Sequence, residues 1–174
     1  GLANPDASVN YDDITIPITK NIVVEPQYVD YDISLTYTGE VVKQEEKDMV
    51  LTLSSTMGRY YDHVRIIAEA QTPAGATVTL EGVDEQDLTH DIIQNGWGDA
   101  SGYKIGGNVN QVLNLKGMFT DSGNYTITFK LIDRDNSDTA IANKTVSIDV
   151  KEEATVVPPE ENQKENVEQK PEET

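Results

Sequence analysis

The chain has 174 residues, room for one domain with flanking segments, and carries 31 acidic against 13 basic residues for a net charge of −18. A surface this negative repels nucleic acid and anionic lipid, and no apolar run is long enough to cross a bilayer, so the expected partners include no nucleic acid and no membrane insertion. The absence of cysteine excludes disulfides, thiolate metal sites and a cysteine nucleophile together.

Residues 1–27 begin small and polar, without a secretory leader, and Gly1 is read as a processing boundary. They are expected to be an N-terminal extension, or an added edge strand through Ile14 to Ile18. From there to residue 151 the hydrophobic period is two almost everywhere. Tyr31, Ile33, Leu35 and Tyr37 alternate with polar residues, as do Met49, Leu51 and Leu53, predicting two half-buried strands. "MGRYYDH" (57–63) reads as a loop whose consecutive Tyr60 and Tyr61 point opposite ways. Further strands follow at Val64 to Ala70, at Val78 to Leu80 after the turn "TPAG", and at Val112 to Leu115. "DEQDLTHDII" (84–93) is the one stretch suited to a short helix. Tyr125 to Ile132 and Ala140 to Val150 form a hairpin around "DRDNSD" (133–138), bringing the total to about seven strands.

Residues 152–174 change character, with eight Glu, three Pro and almost no apolar residue after Val157. Such a segment cannot offset the entropy of ordering by burial, and it reads as an extended Pro/Glu-rich linker.

Seven short strands between turn signals predict an all-β, antiparallel sandwich. The stretch "DSGNYTITFKLID" (121–133) sharpens this to an immunoglobulin-like fold. Its Asp121, Gly123 and Tyr125 match the corner pattern in which a tyrosine at the start of a strand bonds back to the backbone just upstream. With "GWGDASGYKIGG" and the closing "VSIDV", and with Phe119, Phe129 and Leu131 in phase, the last third of the domain resembles the bacterial immunoglobulin-like domains of secreted and cell-surface proteins of Gram-positive bacteria. The resemblance implies an extracellular location, secreted or attached to the cell surface. It implies a spacer, adhesin or accessory role, and a monomer within a multidomain chain.

Catalytic chemistry finds little support. His63 and His90 are isolated, and no nucleophile elbow or phosphate loop occurs, so the chain is expected not to be an enzyme. No cofactor is expected beyond a possible Ca²⁺, for which Asp133, Asp135, Asn136 and Asp138 supply hard oxygens at a hairpin tip; Asp and Asn are equally good turn formers, and Arg134 sits among them. Asp12, Asp13, Asp30 and Asp32 form a weaker acidic cluster, and the sequons at Asn124 and Asn143 receive no role. Trp97 with Tyr103 offers either a ligand platform or, more in keeping with so large a ring in a small core, a plug packed over the sandwich edge, and Arg59 with Tyr60 forms a second sticky loop. The leading expectation is a non-catalytic extracellular structural or adhesion module of a larger surface or secreted protein, its partner a cell-wall or host glycan or a protein. The alternative is a carbohydrate-binding accessory domain acting through the Trp97 loop.

Overall fold

The computed structural model describes residues 24–83, 90–98 and 102–154. Seven strands carry the fold: β1 (Asp32–Thr36), β2 (Val41–Val42), β3 (Lys47–Gln71), β4 (Val78–Gly82), β5 (Tyr103–Phe119), β6 (Gly123–Asp133) and β7 (Thr139–Lys151). The described residues also include a four-residue helix, α1 (Ile92–Asn95), and a 3₁₀ turn, Arg134–Asn136.

β3 organises the layers. Its first half pairs with β1 on one side and β5 on the other, and β5 carries β4 at its far end. Its second half pairs with β6, which pairs with β7. β1 also lies close to β7, and the buried faces of β1, the first half of β3 and β5 share one core with those of β6 and β7, so the sheet folds over on itself as an immunoglobulin-like sandwich. One pair departs from the antiparallel expectation: Val41 and Val42 run parallel to Val150 and Lys151.

Alternation builds the core. Met49, Leu51 and Leu53 of β3, Leu113 and Leu115 of β5, and Tyr125, Ile127, Phe129 and Leu131 of β6 are all essentially inaccessible to solvent. Their intervening neighbours face outward, as a strand with one buried face requires. Val41 enters this core at 2 % exposure, which is why two residues suffice for β2.

At the β5–β6 corner the Tyr125 hydroxyl donates to the Asp121 carbonyl at 2.7 Å and accepts from the Asp121 N–H at 3.2 Å. The ring meets Phe119 edge to face, centroids 5.0 Å apart. Gly123 takes φ 131° between the two, a conformation side chains resist.

The element count agrees with the sequence reading for partly different reasons. The predicted strands at Met49–Leu53 and Val64–Ala70 are one 25-residue strand that includes the expected 57–63 loop, whereas β2 was not anticipated. β5 extends well beyond Val112 to Leu115 in both directions. Residues 84–89 of the stretch suited to a short helix lie outside the described residues; α1 starts within its last residues, with the Asp91 carboxylate accepting from Ile93 N–H as its cap. Ile14 to Ile18 and residues 155–174 also lie outside them. Glu152, where the linker was expected to begin, is fastened to the domain by Ser122 (2.5 Å) and Lys43 (3.1 Å), which hold its carboxyl below the usual range.

Two substitutions separate corner from core. Tyr125→Phe should lower unfolding free energy by about 1 kcal/mol for the lost buried hydrogen bond, and Phe129→Ala by about 3 to 5 kcal/mol for the cavity, as read from urea midpoints at constant slope. A Tyr125→Phe variant as stable as the parent would contradict the corner's role.

Candidate functional site

The site is generated by an irregularity in β3. Pairing with β5 passes from Ser55↔Val109 to Gly58↔Gly107, Tyr61↔Ile105 and Val64↔Tyr103, so β3 advances three residues for every two of β5 at each step. These are three successive β-bulges, each adding a residue to one strand and increasing its bend. Burial follows the same count: Ser55, Gly58 and Val64 are buried and Tyr61 half-buried, while Thr56, Met57, Arg59 and Tyr60 are exposed. Ser55 secures the first step, its hydroxyl donating to Val29 O at 3.0 Å and accepting from Met57 N–H at 3.3 Å.

Two glycines seat two tyrosines on this stretch. A Cβ on Gly58 would come within 2.3 Å of Tyr31 Cζ, and one on Gly106 within 2.0 Å of Tyr60 Cδ1. The Tyr31 ring therefore lies over the β3 backbone, its hydroxyl donating to Arg59 O at 2.7 Å. The Tyr60 ring lies over β5 and is 70 % exposed.

A groove of about 910 Å³ runs beside β5 here. Tyr60, Tyr61, Trp97 and Tyr103 supply its aromatic lining, and Asn108, Asn110 and Gln111 supply exposed amides. Its described lining contains one carboxylate, Asp62, and one ammonium, Lys104. β4 pairs only with the Leu115–Phe119 end of β5, leaving the strand's outer side beside the groove without a partner strand among the described residues.

Of the two roles the sequence leaves to Trp97, packing over the sandwich edge or a ligand platform, the structure shows the packing. The ring is 9 % exposed, belongs to the core, and is covered by Tyr103 at a centroid distance of 4.7 Å. Burying a surface as large as an indole outweighs leaving it in water. The loop that holds it is pinned from β3: Trp97 N–H donates to Ile66 O at 2.8 Å, and the Arg65 guanidinium donates to the carbonyls of Asn95 and Gly98. Gly96 and Gly98, at φ 76° and 109°, turn the chain around the ring. Arg59 does not join Tyr60; its guanidinium stacks 4.4 Å above the Tyr28 ring, beside a separate small cleft of about 140 Å³.

The Asp133–Asp138 tip disperses its carboxylates. Asp133 accepts from Asp135 N–H at 3.0 Å, Asp135 pairs with His63 at 2.8 Å, and Asp138 pairs with Arg134 at 2.9 Å. Ser137 and Asp138 take positive φ to complete the turn. Among the described residues no group of three or more His, Asp or Glu side chains is placed to hold a metal ion, and the Asp133, Asp135 and Asp138 carboxylates are engaged with a turn N–H, His63 and Arg134. The sequence reading passed over Asn108, Asn110 and Gln111; the polar run "NVNQ" just before a buried Leu113 is the signal that marks an exposed strand edge.

No family model and no curated protein matches the sequence. Solved structures of similar chain course include a CARDB domain from Pyrococcus furiosus in complex with di-metal ions, 13% identical, TM-score 0.48, covering 75% of this chain and 100% of that one. A cohesin module from a family 33 glycoside hydrolase of Clostridium perfringens is 11% identical, TM-score 0.38, covering 71% and 97%. AggA, the major subunit of aggregative adherence fimbriae type I of Escherichia coli, is 12% identical, TM-score 0.32, covering 75% and 100%. The metals, the hydrolase and the fimbriae belong to those proteins, and no residue's role carries over at such distances.

Burial first, then the neighbouring Tyr61 and Tyr60 hydroxyls, push the Tyr31 phenol from its usual 10.0 up to about 12. The unfolded chain loses this proton near pH 10 and the folded one near pH 12. The stability it confers is therefore complete below pH 10 and is lost as pH rises to about 12. Tyr31→Phe should flatten the fall in unfolding free energy across that window; an unchanged slope would contradict the burial of this hydroxyl.

Proposed function

We propose that this chain is a non-catalytic adhesion module of a larger bacterial surface or secreted protein, holding its ligand in the groove beside β5. The carrying observation is the groove itself: a preformed, aromatic- and amide-lined surface beside a strand edge. The non-catalytic reading is supported by what meets there. The described groove has one carboxylate and one ammonium, and His63 is engaged with Asp135 at the hairpin tip. General acid–base chemistry on two carboxylates has no pair to work with among these lining residues. The extracellular placement is supported by the cysteine-free immunoglobulin-like sandwich and by the acidic Pro/Glu composition after residue 152, suited to holding a module away from its neighbour.

The test is retention of the purified chain on bacterial cell walls and on plates coated with host matrix protein, compared with an Asn108→Trp variant that fills the groove from an exposed position. Retention on one of the surfaces should fall at least about tenfold with the melting temperature unchanged within about 2 °C. Equal retention by both proteins, or none by the parent, would contradict the proposal.

A further inference from the structure

We infer that the ligand of this groove is a neutral polysaccharide, and that the Tyr60 ring is the surface on which a sugar face stacks. The inference rests on the adhesive reading of the groove and names the class of molecule it takes.

The first observation is how Tyr60 is held. A tyrosine 70 % exposed would ordinarily be free to leave the surface, but Gly106 and Gly107 leave out the side chains that would lift it. A Cβ on Gly106 would lie 2.0 Å from Tyr60 Cδ1, and one on Gly107 would lie 2.9 Å from the hydroxyl. The ring rests on bare backbone with its other face open. A ring already seated on backbone needs no repositioning for a ligand to stack on its outer face. Its flat, weakly polar face suits the C–H face of a pyranose, while the phenol supplies a polar handle at one edge.

The second observation is charge. The chain carries −18 overall, yet the described lining of the groove balances Asp62 against Lys104. A polyanionic glycan would meet the field of the whole molecule, and a strongly cationic partner would find no concentration of carboxylates in this lining. An uncharged ligand meets neither obstacle.

The third is the hydrogen-bonding set. Asn108, Asn110 and Gln111 stand exposed in sequence along β5, each amide offering both donors and acceptors. Sugar hydroxyls likewise donate and accept, so amides match them without a fixed charge to desolvate.

The experiment is affinity electrophoresis and calorimetry of the parent, Tyr60→Ala and Tyr60→Phe with a mixed-linkage β-glucan, a galactomannan, polygalacturonate and fibronectin. Saturable binding to a neutral polysaccharide, weakened at least about tenfold in Tyr60→Ala and within about threefold of the parent in Tyr60→Phe at unchanged melting temperature, is expected. Binding to neither neutral polysaccharide, preference for polygalacturonate, or neutral binding indifferent to Tyr60→Ala would each overturn the inference. Fibronectin binding blocked by Asn108→Trp, without any glycan binding, would overturn it while leaving the adhesion module intact. Failure of retention on every surface would remove both.

Discussion

The structure depends on one strand serving two layers. β3 runs unbroken from Lys47 to Gln71, flanked by β1 and β5 in its first half and by β6 in its second. Strands that pass from one layer to another do so through bulges or bends. Three consecutive bulges between Ser55 and Val64 supply the bend while keeping pairs to β5 at every step. The same three-residue rhythm turns Tyr61 inward and Tyr60 outward. It also brings Gly58 opposite Gly107, so both strands have backbone bare enough to accept a ring. Fold and groove therefore have a common origin.

Stability comes mainly from the apolar faces that this bend brings together. The ion pairs, such as Lys116 with Asp48 at 2.7 Å and Lys151 with Asp149 at 2.9 Å, lie on the solvent-exposed surface, where such contacts contribute little and are screened by salt. Net charge favours solubility and opposes compaction. The fastenings at the periphery are local: Glu152 between Lys43 and Ser122, Ser55 on Val29, and Arg65 on the Trp97 loop.

What the sequence revealed follows from periodicity. β1, the half of β3 before the bulges, and β6 and β7 up to the single register shift at Leu131/Ile132 have one buried face and regular pairing, so their apolar residues recur every second position and can be read directly. The Tyr125 corner was legible because Asp121, Gly123 and Tyr125 are local to each other. Residues 55–64 were not, because bulges change the count from two to three and make a paired strand resemble a polar loop. β2 is two residues whose partner is more than a hundred positions away. Trp97 was legible in part: a lone tryptophan between glycines suits packing or a platform, and what shows the packing is the Tyr103 ring six residues on together with Arg65, which reaches the loop from β3 some thirty positions away. The tip at 133–138 presents carboxylates that suit a metal and a turn equally, and sequence spacing alone does not reveal that Asp135 reaches His63 across the fold.

The most direct measurement is a set of cross-strand nuclear Overhauser contacts between β3 and β5 in the isotopically labelled chain. Contacts linking Ser55 with Val109, Gly58 with Gly107, Tyr61 with Ile105 and Val64 with Tyr103 are predicted, with slowed amide exchange at the paired positions. Contacts that advance two residues on both strands, or free exchange throughout 56–63 without cross-strand contacts, would contradict the bulged strand and with it the groove.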